Sequence, residues 1–236
     1  MKIVTKIVLW TIDGKTHQAT EGENLILAAR KNGVYIPTLC YLEGHECLGT
    51  CRVCSIKVNG RNMAACTLTV EENMQLEVNT PELQDMRKAI VELIFVEGNH
   101  FCPACEKSGD CQLQAVAYAM DMRVARFHYR FSPYHIHYEG QHIILEHNRC
   151  MHCKRCTNLF QDDQGFKVFS FVHRGARTRV MIDLEREKLL TPEKLQEAKQ
   201  LCPTGAILLQ GGGFDRPVGT RQYDKKPIGL IPKGEL

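Results

Sequence analysis

Cysteine is the residue type that could do chemistry in this 236-residue chain, and eleven of its twelve copies fall into three groups. The first group has the spacing C-x10-C-x2-C-x11-C, and its members are Cys40, Cys51, Cys54 and Cys66. Thiolates spaced in this way on a looping segment can enclose iron and sulfide, and plant-type two-iron proteins use a related C-x4-C-x2-C spacing. We therefore expect a [2Fe–2S] cluster here. A zinc ion is the alternative, because C-x2-C is half of a zinc knuckle, although the second half is missing from this stretch.

A second group combines one histidine with three cysteines in the spacing H-x1-C-x2-C-x5-C. Its members are His100, Cys102, Cys105 and Cys111. Three cysteines cannot complete a four-iron site, so we predict that His100 is the fourth ligand of a [4Fe–4S] cluster. The short step from His100 to Cys102 requires a sharp turn of the chain at Phe101. Cys111 begins a predicted helix, whose first backbone amides can stabilise a thiolate.

The third group has the spacing C-x2-C-x2-C and is followed, much later, by a Cys-Pro pair. Its members are Cys150, Cys153, Cys156 and Cys202. This combination is typical of bacterial [4Fe–4S] proteins, in which the fourth thiolate comes from elsewhere in the chain. A zinc site would more naturally use two separated C-x2-C pairs. Phe160 stands where a two-cluster ferredoxin carries its next cysteine, so we predict one cluster at this site.

Ligand counting leaves one cysteine over. Three sites of four ligands use eleven cysteines and His100, and Cys47 remains. We predict that Cys47 is no ligand, and an exchange of Cys47 with Cys40 or Cys51 is the alternative. The expected cofactors are one [2Fe–2S] cluster and two [4Fe–4S] clusters.

No motif for a nucleotide or a flavin accompanies these cysteines. The chain has neither a G-x-G-x-x-G after a predicted strand nor a G-x-x-x-x-G-K-[ST] loop. Clusters without such a site, and without a nucleophile triad or paired carboxylates, predict a conductor of single electrons with no catalytic residue. The net charge of +3 and the pI of about 8.2 are too mild to indicate a nucleic-acid groove or a membrane-binding face.

The cellular compartment is predicted from the cysteine pattern and from the first residues. Clustered C-x2-C pairs favour metal-bound thiolates over disulfides, and hence a reducing compartment. The apolar opening MKIVTKIVLW is interrupted by Lys6, is too short to span a bilayer and lacks a signal-peptide cleavage site. We therefore expect a cytoplasmic protein without a membrane span.

The elements that must position the cysteines predict an α+β fold. Residues 2–11 alternate between apolar and polar like a strand, and a turn, a second strand and a helix follow. After the cysteine loop, a hairpin at Asn59-Gly60 and a strand near Leu76 complete the order of a β-grasp domain. This order resembles that of plant-type ferredoxins.

Four segments are predicted along the chain. Residues 1–79 form the β-grasp [2Fe–2S] domain, and residues 80–122 form a helical segment that carries the histidine- and cysteine-ligated cluster. Residues 123–211 form a bacterial-ferredoxin-like [4Fe–4S] domain. Residues 212–236 are rich in glycine, proline and charge, and we expect an extended tail that lies on a partner or is disordered. Deleting such a tail would leave the iron content of the chain unchanged.

The order of the cysteine groups resembles the N-terminal iron–sulfur region of the complex I large subunit. Similar modules open [FeFe] hydrogenases and NAD-dependent formate dehydrogenases. The chain is most similar to the diaphorase iron–sulfur subunits of cytoplasmic NAD-reducing [NiFe] hydrogenases, through YIPTLCYLEGHECLGTCRVCSIKVNG, DMRKAIVELIFVEGNHFCPACEKSGDCQLQAV and an ending shortly after CPTGAI. The resemblance covers nearly the whole chain. It departs at the second group, where complex I and [FeFe] hydrogenases usually have H-x3-C.

The resemblance implies an electron relay between a flavin- and NAD-binding diaphorase subunit and the small and large subunits of a [NiFe] hydrogenase. The complex would catalyse H2 + NAD+ = H+ + NADH, and this chain alone would be inactive. An iron–sulfur subunit of a complex I-like enzyme or of a formate dehydrogenase is the alternative. A zinc-binding interaction module is the alternative from a different class, and a colourless protein would indicate it. A succinate dehydrogenase subunit does not fit, because the C-x4-C-x2-C start is absent.

Overall fold

The computed structural model describes residues 6–131, 133–214 and 216–229. The chain divides into two compact units, one of Met1–Val91 with Gly229–Leu236 and one of Glu92–Ile228. The strand predicted from residue 2 is observed from Ile7 onwards, and residues 1–5 lie outside the described part. The division falls inside a helix and within the predicted segment 80–122, and the bounds of the four predicted segments stay a prediction.

A mixed five-stranded sheet forms the first unit, with the strand order β2-β1-β5-β3-β4. Its elements are β1 (Ile7–Ile12), β2 (Lys15–Thr20), α1 (Leu25–Lys31), β3 (Ser55–Val58), β4 (Arg61–Ala64) and β5 (Gln75–Glu77). Strands β1 and β5 are parallel, and the other pairs are antiparallel. This is the predicted β-grasp order, and it leaves the long cysteine loop between α1 and β3.

Alternating side chains explain why β1 is a central strand. Val8, Trp10 and Ile12 are each only 1% exposed, whereas Ile7 and Leu9 face solvent. One face of the strand therefore enters the core, as the period of two requires. Helix α1 contributes to the buried core of this unit through Leu25, Ile26, Ala28 and Ala29.

Helix α2 (Pro81–Glu97) follows the sheet and precedes the second cysteine group. Thr80 caps it as predicted, since its hydroxyl accepts a hydrogen bond from the Leu83 amide at 3.3 Å. The buried Arg87 donates from Nε to the Ser55 carbonyl at 2.8 Å, which fastens the helix to β3 directly after Cys54. Among the described residues, no helix combines the length and the apolar character needed to cross a membrane.

The second unit contains the remaining helices and two small antiparallel sheets. Its helices are α3 (Gln112–Ala119), α4 (Arg155–Leu159), α5 (Leu184–Glu187), α6 (Pro192–Leu201) and α7 (Gln222–Lys225). Its strands are β6 (Ile143–Leu145), which pairs with β9 (Ile207–Leu209), and β7 (Phe169–Val172), which pairs with β8 (Arg179–Ile182). Helix α4, which contains Cys156, contacts both β7 and α6. Cys202 follows directly after α6, so this contact brings the distant fourth cysteine towards the other three.

An apolar core holds these short elements together. Phe160 is fully buried and packs edge-on against Phe169 with ring centroids 5.4 Å apart. Ile143, Ile182 and Ala198 join the same core. The position that a two-cluster ferredoxin gives to cysteine is thus a packing position here, where a large apolar side chain stabilises the fold.

A buried carboxylate anchors the irregular segment that precedes β6. Glu187, at the end of α5, is 0% exposed. Its two oxygens accept hydrogen bonds from the amides of Gln141, His142 and Ile143 at 2.9, 2.6 and 2.7 Å. The negative charge is therefore satisfied by three backbone donors in place of a cation.

The C-terminal segment differs from the extended tail that its composition predicts. Residues 222–225 form α7, and Tyr223 donates its amide to the Gly109 carbonyl at 2.9 Å. The Gln222 amide donates to Asp110 Oδ1 at 2.8 Å, and Arg216 forms an ion pair with the same carboxylate. The segment therefore lies on the loop just before Cys111. Residues 230–236 lie outside the described part.

Candidate metal centres

The first centre is built where the loop after α1 meets the start of β3. Cys40, Cys54 and Cys66 are buried, with 7%, 1% and 2% of their surface exposed. Cys66 lies in a short 3-10 turn, Ala65–Thr67, whose Cys66 carbonyl accepts a hydrogen bond from Asn24 Nδ2 at 3.3 Å. Gly49 adopts a φ of +63°, and a Cβ there would lie 2.9 Å from Thr67 Cγ2, so the loop can close over the cysteines only with glycine at this position.

The thiols of this centre come together as the spacing predicts, and Cys47 joins them. The sulfurs of Cys40, Cys47 and Cys66 all lie within 4.8 Å of one another. Cys51 contacts Cys40, and Cys54 contacts Cys66. The loop has therefore folded Cys47 into the ligand group, and the prediction that Cys47 is no ligand stays a prediction.

Hydrogen bonds between these thiols set their charges. Donation from Cys47, Cys51 and Cys66 lowers the pKa of Cys40, whereas the bond to Cys40 raises the pKa of Cys66 and of Cys51. One thiol can thus ionise easily, and the negative charge of its thiolate then disfavours the ionisation of a second thiol. Only a cation among the sulfurs can hold several of them as thiolates, and iron or zinc supplies that charge.

The second centre gathers Cys102, Cys105 and Cys111 around the N-terminus of α3. Cys111 is the N-cap residue of this helix, and its Sγ accepts a hydrogen bond from the Gln114 amide at 3.4 Å. Burial raises the pKa of Cys102, and it raises the pKa of Cys111 to about 12. The thiols are close enough for the charge at Cys105 to act on both neighbours. Three thiols that share one site, two of them buried and one half-buried, fit a metal cluster.

The chain makes the sharp turn at Phe101 that the short H-x1-C spacing requires. Phe101 has φ −76° and ψ 80°, and the Cys102 amide donates to the His100 carbonyl at 2.9 Å. These values are those of an inverse γ-turn, in which three residues reverse the chain direction. The backbone at this point therefore accommodates the spacing that departs from H-x3-C.

His100 itself is half-buried beside this turn, but no described contact joins its ring to the three sulfurs. The ring packs against Phe95, and a Cβ at Gly98 would lie 2.5 Å from His100 Nε2. Burial and the neighbouring Arg149 cation lower the pKa of His100 to about 4, so the imidazole is neutral at pH 7 and competent to bind a metal. The ring also borders a cavity of ≈ 220 Å³ that Cys150 lines from the third centre. Ligation by His100 stays a prediction.

The third centre is an apolar cavity lined by all four predicted cysteines, Cys150, Cys153, Cys156 and Cys202. His152 and Lys154 adopt φ values of 53° and 66°, and this left-handed backbone winds the three nearby cysteines into one turn. Cys202 arrives from the C-terminal end of α6. Burial raises the pKa of Cys150 and of Cys153 to about 12 and places that of Cys156 well above its usual value.

The second and third centres share the turn that follows Cys202. The Pro203 carbonyl accepts a hydrogen bond from the Leu113 amide at 3.2 Å and lies 3.6 Å from Cys111 Sγ. A Cβ at Gly205 would lie 2.8 Å from Cys105 Sγ. Ligands of the two centres are therefore separated by a single layer of backbone. Nothing in the cysteine spacing predicts this contact.

Buried cations beside the sulfurs are the residues that motif reading missed. Arg87 lies near Cys54 in the first centre, and Arg155 lies near Cys153 in the third. Lys107 is only 5% exposed and lies near both Cys111 and Cys202. Charged residues are mostly exposed whichever element carries them, so the sequence carries no signal of their burial and only the structure reveals these positions.

Three protein-family profiles match the chain in the order of its centres. Residues 5–81 match a 2Fe-2S iron–sulfur cluster binding domain. Residues 87–126 match the NADH-ubiquinone oxidoreductase-G iron–sulfur binding region, and residues 140–208 match the ferredoxin-like domain of NADH-quinone oxidoreductase subunit 3. The predicted α+β fold class and the iron–sulfur nature of the chain are confirmed.

One relative matches over nearly its full length. The gamma subunit of the NAD-reducing hydrogenase HoxS of Cupriavidus necator is 53% identical over 92% of this chain and 94% of its own length. A chain in the crystal structure of an NAD+-reducing [NiFe]-hydrogenase in the H2-reduced state superposes with a TM-score of 0.83. That chain is 32% identical, and the match covers 95% of this chain and 96% of that one.

More distant relatives are longer proteins. An NADH-quinone oxidoreductase subunit of Rickettsia bellii is 30% identical over 84% of this chain but only 29% of its own length. The NADP-reducing hydrogenase subunit HndD of Solidesulfovibrio fructosivorans is 34% identical over 84% of this chain and 35% of its own length. This chain spans about a third of these proteins or less.

Proposed function

Because the chain belongs to the family of the gamma subunits of NAD-reducing hydrogenases, we propose that it relays single electrons between a flavin- and NAD-binding diaphorase subunit and a [NiFe] hydrogenase moiety. H2 gives up two electrons and NAD+ accepts two with one proton, so an iron–sulfur subunit passes them one at a time. The observation that carries the proposal is the arrangement of the second and third centres. Gly205, three residues after Cys202, packs so closely on Cys105 of the second centre that a Cβ there would lie 2.8 Å from Sγ. This proximity would let an electron pass between the two centres.

The proposed cofactors are one [2Fe–2S] cluster and two [4Fe–4S] clusters, each of which supplies a one-electron carrier when bound. Cys40, Cys51, Cys54 and Cys66 would hold the first; His100, Cys102, Cys105 and Cys111 the second; and Cys150, Cys153, Cys156 and Cys202 the third. The chain's own part is to shield these ligands from solvent, six of which are buried and six partly buried, and to hold His100 neutral.

The ligand role of His100 has a direct test. His100→Ala should leave a three-cysteine site that tends to lose one iron, and His100→Cys should retain four irons at a lower potential, because a thiolate adds a negative charge. Iron analysis and the EPR signal of the reduced chain measure both effects. If His100→Ala keeps a full cluster with unchanged spectrum and potential, histidine is not the ligand.

The relay is tested in the assembled complex with one cluster removed. In Cys153→Ser, H2-driven reduction of NAD+ should stop, while NADH oxidation by a dye and H2 oxidation by a dye continue at either end. Retention of the coupled reaction at the wild-type rate, in a complex shown by EPR to lack that cluster, would refute the proposal.

A complex I-like or formate dehydrogenase complex is the second candidate, and the 30% identity to a longer NADH-quinone oxidoreductase subunit favours the complex I-like form. Copurification separates the two candidates, because the first implies a nickel-containing partner and the second does not. Twelve free cysteines also support the proposal of a reducing, cytoplasmic location, which cell fractionation tests. A brown protein with visible absorption would dismiss the zinc-binding alternative, since zinc thiolates are colourless.

A further inference from the structure

Lys107 is a buried cation that has no carboxylate partner in the described part of the chain. The residue lies between Cys105 and Cys111, and it is 5% exposed. Its Nζ donates a hydrogen bond to the Lys199 carbonyl at 2.7 Å, in the last turn of α6. A buried ammonium is costly unless negative charge lies near it, and one carbonyl oxygen does not supply that charge.

With clusters bound, the thiolate sulfurs of two different centres would supply this negative charge. Burial has the largest effect and lowers the pKa of Lys107, and the Lys199 and Arg216 cations lower it further, whereas negative charge at Cys202 and Cys111 stabilises the ammonium. Cys111 belongs to the second centre and Cys202 to the third. The cation is therefore placed to act on both.

Packing around Gly205 locates this cation at the junction between the centres. A Cβ at Gly205 would lie 2.8 Å from Cys105 Sγ and 3.3 Å from Lys107 Cβ. On the other side, Cys111 Sγ lies 3.6 Å from the Pro203 carbonyl. The Lys107 side chain thus starts beside the backbone layer that separates the two ligand sets, and because it is buried, little solvent screens its charge.

We propose that the positive charge of Lys107 raises the reduction potentials of both four-iron sites. Because it acts on both, the two potentials stay similar enough for an electron to pass between them. This inference rests on the relay proposed above. Each reduction adds one negative charge, which a nearby buried positive charge stabilises far more than an exposed one would. As the electron passes, one site is oxidised and the other is reduced by one electron, and no proton has to move.

A purely structural role for Lys107 is the competing explanation. The ammonium lies at the C-terminal end of α6, where a cation stabilises a helix and satisfies a free carbonyl. The two roles differ in what they require. Capping the Lys199 carbonyl needs only a hydrogen-bond donor, whereas raising the potentials needs a positive charge.

Three variants of the full chain, loaded with its clusters, separate these roles. Lys107→Gln keeps a donor for the carbonyl and removes the charge, and Lys107→Arg keeps the charge. Lys199→Met is the matched control, because it removes one positive charge from a neighbouring side chain that is partly exposed. EPR-monitored redox titration reports the midpoint potential of each cluster, and the [2Fe–2S] cluster serves as the internal reference.

We expect both four-iron potentials to shift downwards in Lys107→Gln, with the [2Fe–2S] potential unchanged. Lys107→Arg should retain the wild-type potentials, and Lys199→Met should shift them much less than Lys107→Gln. Loss of a four-iron cluster in Lys107→Gln but not in Lys107→Arg would also support the need for charge.

Unchanged potentials in a fully loaded Lys107→Gln chain would overturn the proposal, as would a shift of equal size in Lys199→Met. Loss of clusters in both Lys107→Gln and Lys107→Arg would assign the residue to folding and equally overturn it. None of these results depends on the partner subunits. Failure of the coupled reaction in a complex with wild-type clusters would instead refute the relay and leave these potentials as measured.

Discussion

Individual thiols in this protein differ in charge because their surroundings differ, even though their chemistry is the same. In the first centre, hydrogen bonds from three neighbouring thiols lower the pKa of Cys40. In the other two centres, burial dominates and raises the pKa of Cys111 and Cys150 to about 12. At neutral pH these buried thiols hold their protons until a metal displaces them.

Cys47 provides the sharpest test of ligand choice at this scale. Its sulfur lies 3.7 Å from that of Cys40, yet we predict that Cys47→Ser keeps the [2Fe–2S] cluster and that Cys51→Ser loses it. The reason is that Cys51 and Cys54 form the tight C-x2-C pair that such clusters use. Iron content and the EPR signal of the reduced chain decide it. The reverse pattern would show that Cys47 is the ligand and Cys51 is not.

Gly205 is the residue on which the approach of the second and third centres depends. In Gly205→Ala the new methyl group would overlap Cys105 Sγ, so we expect the second cluster to be lost or to bind weakly, with a destabilisation of about 1–3 kcal/mol. Iron per chain and thermal unfolding measure the two effects. Gly212→Ala is the control, because its new methyl group would meet nothing closer than 4.0 Å. Equal iron content in both variants would show that the junction tolerates a side chain.

Short helices and loops hold their positions in this protein through polar contacts to distant segments, because they are too short to be stable by themselves. Helix α5 spans only Leu184–Glu187, and Glu187 ties it to three amides before β6. Helix α7 spans only Gln222–Lys225 and lies on the loop before Cys111. Each contact joins segments that are far apart in the sequence.

Removing the Glu187 carboxylate should destabilise the second unit strongly. Glu187→Ala leaves three backbone amides without an acceptor, of which the Ile143 amide is buried and the other two are partly buried, and we expect a loss of about 1–3 kcal/mol in the free energy of unfolding. Glu185→Ala in the same helix is the control, since this carboxylate is exposed and pairs only with Lys188, so its loss should cost about 0.5 kcal/mol or less. Denaturant unfolding compares the two. Similar midpoints would show that water replaces the lost acceptor.

Deleting residues 212–236 should lower the iron content, contrary to what an extended tail would predict. The described part of this segment covers the loop of Gly109 and Asp110, so its removal exposes the second centre to solvent. Asp110→Ala, which breaks the contacts to Gln222 and Arg216, should act in the same direction, and the exposed Asp163→Ala should not. Iron and sulfide analysis after gel filtration measures the effect. A deletion variant with full iron content would return the segment to a role in assembly alone.

At the scale of the whole molecule, the three thiol groups are divided between two compact units. The first unit contains the β-grasp sheet and one thiol group, and the second contains the other two thiol groups. Clusters bound at such sites exchange electrons, but they do not bind NAD or split H2. We expect partners to supply both activities.

The isolated, cluster-loaded chain should therefore be reducible by dithionite and inactive with substrates. Neither NADH oxidation nor H2 oxidation by a dye should be detected, whereas the visible absorption should bleach as the clusters are reduced. Addition of the purified diaphorase partner is the positive control, because it should restore bleaching by NADH. Turnover of NADH by the chain free of flavoprotein would contradict the prediction.

Much of this protein was determined by its sequence alone, because much of its chemistry is local. A cluster selects cysteines at short fixed spacings, so three groups and their candidate ligands can be read along the chain. The same holds for Thr80 at the start of α2 and for the hairpin at Asn59-Gly60, where φ values of 48° and 81° suit these residues. The sharp turn at Phe101 follows from the spacing on either side of it.

The tertiary structure alone decided which distant residues meet. The contact of Gly205 with Cys105, the burial of Lys107 between two ligand sets and the docking of α7 beside Cys111 all join segments whose separation in sequence carries no pattern. It also brought Cys47 into the first thiol group, which ligand counting had set aside. Such contacts depend on how whole elements pack, since a helix or loop has many possible neighbours until the core selects one arrangement.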